Sequence, residues 1–151
     1  MLQEDHTMQA FIVEAANRPG ELARVAETIS ARGVNVEAFC LSYGNKGAAA
    51  FLASDEKGIR SALDGQGFTY HQVPLLTISL EDKPGQVAWA AKRLGDAGVN
   101  IDLFAPVDYG TDHKATIAIG VDKVDEARRA LSDHLTEWTI PERAFAGTLS
   151  R

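Results

Sequence analysis

Asn17-Arg18-Pro19-Gly20-Glu21-Leu22-Ala23, followed by Gly33-Val34-Asn35, decides the fold, because the chain writes this passage twice. At one constant offset it returns as Asp82-Lys83-Pro84-Gly85-Gln86-Val87-Ala88 and Gly98-Val99-Asn100. Ala26 falls on Ala91 and Phe39 on Phe104, with the conservative pairs Ile29/Leu94, Val36/Ile101 and Glu37/Asp102 between them. The phase slips after Gly44, where the second copy has the longer turn, and resumes with Ala62-Leu63 against Ala130-Leu131. A chance alignment does not keep Pro-Gly, Gly-Val-Asn and the apolar phase together over such a length. The two halves therefore read as copies of one unit.

Each unit reads as βαββαβ. Phe11 and Val13 alternate along a first strand, as do Leu76, Ile78 and Leu80. Pro19 and Pro84 suit a first helical position, where a missing N–H costs nothing. Leu22, Val25, Ala26 and Ile29, and then Val87, Ala90, Ala91 and Leu94, recur at helical spacing. Gly33 and Gly98 sit where a helix stops through a left-handed residue. The next strand places Val34, Val36, Ala38 and Cys40 on one face, with Cys40 expected as a small core residue. Gly44-Asn45-Lys46-Gly47 is hairpin chemistry. Ile59, Ala62 and Leu63 mark a second helix, and a fourth strand follows over 68–73. The expected fold is α+β: two ferredoxin-like βαββαβ sandwiches packed side by side, covering 8–73 and 74–141, with a tail at 142–151. The joint Val73-Pro74-Leu75 is too short to act as a flexible tether.

Composition bounds the function. The chain has 151 residues, 45% of them hydrophobic and 24% charged, which is globular rather than disordered. Fifteen Lys and Arg against 21 Asp and Glu give a net charge of −6, and the basic residues are scattered, so nucleic acid is not an expected direct partner. The start carries no basic region followed by an apolar run, and no stretch approaches the ~18 apolar residues of a membrane span. A cytoplasmic protein with no membrane association is expected. One cysteine forms no internal disulfide, and His6, His71, His113 and His134 share no ligand spacing, so neither a metal nor a cofactor is expected.

With (Asn/Asp)-(Arg/Lys)-Pro-Gly before the leading helix and Gly-Val-Asn-(Val/Ile) entering the second strand, both units resemble the ACT domain. The resemblance covers 8–140 and is carried by two motifs in register. It implies a small-molecule sensor, usually for amino acids, that regulates an enzyme or a transcriptional regulator. The ligand of such a protein lies between paired modules, against the loop before helix one and the start of strand two. Carried over residue by residue, the first site is Asn17, Arg18, Pro19, Gly20, Glu21, Leu22 and Asn35. The second is Asp82, Lys83, Pro84, Gly85, Gln86, Val87 and Asn100. Asn17-Arg18-Pro19-Gly20 is also similar to the serine-sensing module of phosphoglycerate dehydrogenases, with Ala15 where that module has a histidine.

The loop supports this on physical grounds. Helix N-termini present unpaired N–H groups and partial positive charge to a carboxylate. Glycine permits close approach, and an asparagine offers both donor and acceptor. The bland readings stand beside it: Asn17 and Asp82 as helix caps, and Pro-Gly as a turn former. Glu37 and Asp102 hold matching positions, as receivers of an ammonium group or as solvated strand residues. Trp89 marks contact with another surface, whether a second chain, the tail or the neighbouring unit. Pro106 places its strand at an edge. The expected protein is a non-catalytic homodimeric regulator; the alternatives are an interaction module without ligand, or a small enzyme on the same fold.

Overall fold

Twelve consecutive residues, Tyr70–Glu81, form one strand through the middle of the molecule, and the expected joint at Val73-Pro74-Leu75 lies inside it. The computed structural model describes residues 7–140, so His6 and the tail at 142–151 fall outside the described residues. The elements run β1 (Gln9–Ala16), α1 (Glu21–Ser30), β2 (Glu37–Tyr43), β3 (Lys46–Leu52), α2 (Glu56–Gly65), β4 (Tyr70–Glu81), α3 (Gln86–Asp96), β5 (Ile101–Tyr109), β6 (Lys114–Val121) and α4 (Val124–Ala130). A 3-10 turn follows at Ser132–His134. The six strands make an antiparallel sheet in the order β2-β3-β1-β4-β6-β5. Tyr70–Pro74 of β4 pairs with β1, and Leu75–Glu81 pairs with β6.

A closing strand of the second half is reduced to one bridge among the described residues, Leu135 against Ile78. Thr136 N donates to Thr77 O at 3.0 Å, and Thr77 Oγ1 donates to Thr136 O at 2.6 Å. The short segment is thereby tied to the edge of β4.

Strand alternation sorts the core. Phe11 and Val13 lie opposite Phe51 and Ala49, and these pack with Val25 and Ile29 of α1 and Ile59 and Leu63 of α2. Leu76, Ile78 and Leu80 lie opposite Ile119, Ile117 and Ala115, and pack with Ala90 and Leu94 of α3 and Ala127 of α4. A sheet with one solvated face alternates buried and exposed residues. Ala49–Ala53 and Ile117–Val121 do not; every residue in both runs is buried. Their other face carries Ala10, Leu52, Leu75 and Ala118, which share the first core, with Phe39, Leu103 and Val107 packed against it. The helix-free sides of both halves thus meet in one apolar layer. Each fully buried leucine there contributes about 1.5–3 kcal/mol through removal from water.

Three expectations change. Pro19 and Pro84 precede the helices rather than open them, because Gly20 and Gly85 take the N-cap positions in left-handed backbone. Asn17 and Asp82 cap neither helix, since neither N-cap has a side-chain hydrogen bond. Cys40 is exposed, not core: it lies opposite Ala49 on the helix side of edge strand β2, and it is Phe39 that turns inward. Pro106 does lie on an edge strand, β5.

Candidate functional site

The Pro-Gly pairs build the same turn twice. Arg18-Pro19-Gly20-Glu21 closes with Glu21 N donating to Arg18 O at 3.4 Å, and Lys83-Pro84-Gly85-Gln86 with Gln86 N donating to Lys83 O at 3.5 Å. Gly20 has φ 88° and ψ −8°, and Gly85 φ 91° and ψ −12°, the third-residue geometry of a type II turn. Proline suits the position before it, and only glycine takes the left-handed one without strain. The first helical bonds then match as well: Arg24 N to Gly20 O and Trp89 N to Gly85 O, each 2.9 Å.

The next two amides of each helix, Leu22 and Ala23 in α1 and Val87 and Ala88 in α3, find no acceptor among the described residues. They are the orphan donors of a helix start and carry its partial positive charge. A Cβ placed on Gly20 or Gly85 would meet nothing within 4 Å, so both mouths open on space.

Each loop is pinned to the neighbouring hairpin. Asn17 donates through N to Asn45 O at 3.3 Å and through Nδ2 to Gly44 O at 2.7 Å. Asp82 N donates to His113 O at 2.8 Å, and His113 is held at φ 60°, the one non-glycine with positive φ among the described residues.

Electrostatically the mouths differ. At α1, Glu21 is only 8% exposed and bonds Arg18 at 2.9 Å and Arg24 at 3.2 Å. Arg18 first and Arg24 second hold its carboxyl below the usual range. Arg24 also lies over the Phe68 ring at 4.6 Å. At α3 the corresponding residue is neutral Gln86, while Lys83 bonds Glu81 at 2.7 Å and lowers its pKa. The first mouth therefore holds a carboxylate already engaged by its own cations. The second has no acid in its helix's first turn.

Two recesses flank the α3 mouth. A cavity of about 250 Å³ is walled by Leu80, Val87, Phe104, Pro106, Tyr109 and Ile117, with Glu81, Asp82, Lys83 and Gln86 as its polar lining. A larger one of about 510 Å³, bordered by Ser79, Lys83, Gln86, Trp89, Lys114 and His134, opens on the other side. Trp89 stacks on His134 at 4.3 Å with Arg93 over it at 5.4 Å, so its contact is made within the chain.

The structure brings Asp82, Lys83, Pro84, Gly85, Gln86 and Val87 together, as it does Asn17, Arg18, Pro19, Gly20, Glu21 and Leu22. It does not bring the two asparagines to them. Asn35 and Asn100 follow the C-terminal ends of α1 and α3, about 15 Å along the helix from the mouth. Asn35 is exposed, whereas Asn100 N donates to Asp122 Oδ1 at 2.9 Å and its Nδ2 to Asp102 Oδ1 at 3.0 Å. Sequence reasoning missed Tyr109 and Ile117 as cavity walls, and placed Phe104 and Pro106 only as a repeat partner and an edge marker. No group of three or more metal-ligating side chains occurs among the described residues, and no helix among them is long and apolar enough to cross a membrane.

Several solved structures share this architecture. A Bacteroides thetaiotaomicron protein matches 86% of the chain and 92% of its own length at 19% identity, with a TM-score of 0.68. The regulatory subunit of aspartate kinase from Thermus thermophilus, in its ligand-free form, matches 86% of the chain and 93% of its own at 19% identity, TM-score 0.60. Aspartate kinase from Synechocystis matches 91% of the chain with 28% of its own length, again at 19% identity and TM-score 0.60. At these identities the likeness is one of fold. No family model matches the sequence, and no curated protein does.

Proposed function

We propose that this chain is a non-catalytic regulatory protein, built of two ACT-like units, that binds an amino acid or related small metabolite at the mouths of α1 and α3. The observation that carries this reading is the pair of matching type II turns, each leaving two helix-start amides unspent over open space. A ligand carboxylate supplies what those amides lack. The fold shared with an aspartate kinase regulatory subunit is consistent with it.

A homodimer completes the site. Residues of β2 run from Glu37, beside Asn35, to Tyr43, beside the Gly44-Asn45 turn that holds Asn17. Asn35 and the Pro19-Gly20 turn of one chain therefore lie at opposite ends. Antiparallel pairing of two β2 edges across a two-fold axis reverses that direction and sets a partner's asparagine beside this chain's turn. Regulation then follows from differential affinity: the ligand favours the paired arrangement and biases a bound enzyme or regulator.

A thermal-shift and calorimetric screen of the common amino acids tests the reading. One or more should raise Tm, with the rise abolished by Gly85→Val or Gly20→Val in chains that still fold. A flat screen at millimolar ligand overturns it.

A further inference from the structure

The two mouths match, but what lies beneath them does not. In β5, Phe104 pairs with Ile119 and Pro106 with Ile117, whose own partners Leu76 and Ile78 point toward α3 and α4. Phe104 and Pro106 therefore floor the space under the α3 mouth. The corresponding helix-side positions in β2 are Ala38, opposite Phe51, and Cys40, opposite Ala49; both are small and exposed. The α1 mouth has no such floor.

The α3 cavity is apolar at its base and polar at its rim. Val87, 58% exposed, and Tyr109, 66% exposed, form its lips. Glu81, Asp82, Lys83 and Gln86 supply its polar lining, with Lys83 paired to Glu81 at 2.7 Å, and Val87, whose amide finds no acceptor among the described residues, lines it too. At about 250 Å³ it lies below the roughly 300–1,000 Å³ of drug-sized sites. A zwitterion with one short apolar arm matches both the size and the polarity. Its carboxylate meets the helix-start amides, its ammonium meets Asp82, and its side chain displaces water from Phe104, Pro106 and Ile117.

We infer that the second half selects an α-amino acid with an apolar side chain of valine to leucine size, and that Val87, Phe104, Pro106 and Ile117 determine that selection. This rests on the amino-acid reading above. The first half, without the floor, does not discriminate by side-chain polarity.

Isosteric pairs make the test. Valine against threonine, and leucine against asparagine, differ in polarity at nearly constant shape. Isothermal titration of the full chain carrying Gly20→Val, which closes the first mouth, should show the apolar member of each pair binding at least tenfold tighter, the scale of one buried apolar group. Val87→Asp, at an exposed position, should erase the preference, and Phe104→Ala should reduce it. Threonine and asparagine binding as well as their partners overturns the selectivity while leaving the amino-acid reading intact. The 2-oxo acid of leucine binding where leucine does not leaves the apolar pocket standing and removes the amino-acid reading. No binding by any of these removes both. If Val87→Asp leaves valine affinity unchanged but turns a dimer into a monomer by light scattering, a second copy fills the groove and the inference falls.

Discussion

Phe39 and Phe104 hold the same place in the repeat yet face opposite sides of the sheet. Phe39 pairs with Ala50 on the helix-free side, whereas Phe104 pairs with Ile119 on the helix side. The cause is local. Ile101 and Leu103 pair with the consecutive residues Val121 and Gly120, so β5 carries an extra residue, Asp102, that β2 lacks, and a second slip between Pro106 and Asp108 restores the phase. A one-residue slip exchanges the faces of the side chains that follow it, here as far as Pro106. One duplicated aromatic thus seals the layer between the halves, while its twin floors the cavity under α3.

The left-handed backbone at both mouths predicts a matched pair of costs. Gly20 and Gly85 have φ near 90°, and an added Cβ meets nothing within 4 Å. Only the conformational term remains, about 1–2 kcal/mol for an L-residue in that region. Gly20→Ala and Gly85→Ala should each lower unfolding free energy by that amount in urea titrations, and by similar amounts. A neutral result at either position would mean that its turn does not keep the type II geometry in solution.

Much of this was written plainly in the chain. The repeat, the Pro-Gly turns, the helical stripe from Val25 to Ile29 and the edge position of Pro106 all follow from local rules, because turn chemistry and periodicity act over a few residues. The site was legible only as a loop. Nothing in the sequence marks Asp102 as a bulge, so aligning Phe39 with Phe104 does not show that they face opposite ways. Alternation does put Cys40 on the helix side, but β2 is the sheet's edge strand and leaves it exposed. Fusion of two strands through Val73-Pro74-Leu75 was equally hidden, since Pro74 reads as a break and is tolerated opposite Gln9 near the end of the β1 pairing. The separation of Asn35 from Gly20 depends on helix length and direction, which a residue-by-residue carry-over does not see.

Glu21 gives the chain an acid-sensitive contact. Its folded pKa is depressed by Arg18 and then Arg24, so the native state favours the ionised form. That stabilisation is complete above the unfolded carboxylate value of about 4.3 and is lost as pH falls through the lower folded value. Glu81, depressed by Lys83, adds the same sign. Glu21→Gln should therefore lower the urea midpoint near neutral pH, and the two midpoints should converge as pH falls through the depressed folded value. A gap that stays constant throughout the acid range would assign the loss to packing instead.

Thr77 holds the 135–140 segment by its side chain as well as its backbone. Its Oγ1 donates to Thr136 O at 2.6 Å, and its carbonyl accepts from Thr136 N. Thr77→Val keeps the shape and removes one bond, a net loss of about 0.5–1.5 kcal/mol. The local effect should exceed the global one, because among the described residues one bridge, Ile78 to Leu135, otherwise joins the segment to β4 in the ladder. Hydrogen exchange should quicken at the Thr136 amide while core amides such as Ile119 hold their rates. Equal acceleration of both would show that the segment opens only with the whole molecule.

The exposed edge of β2 is where the proposed dimer is decided. Leu41 is 80% exposed and Tyr43 92%, and β2 has β3 on one side and, among the described residues, no strand on the other. An unpaired edge offers backbone donors and acceptors in register, and apolar side chains beside it favour a second strand over water. Leu41 and Tyr43 alternate with Ser42, so both lie on the side that carries Phe39, continuing the apolar layer past the point where the second half covers it. A lysine there costs the monomer nothing, because the position is solvated, but it places like charges across a two-fold axis. Leu41→Lys with Tyr43→Lys should convert a sedimenting dimer to a monomer without lowering Tm measured at high dilution. If Asn35 reaches the partner's turn through this edge, ligand affinity at the α1 mouth should fall with the dimer, and Asn35→Ala should reproduce that fall while leaving the dimer whole. A wild-type chain that sediments as a monomer at tens of micromolar would remove this pairing, and the partner's asparagine with it.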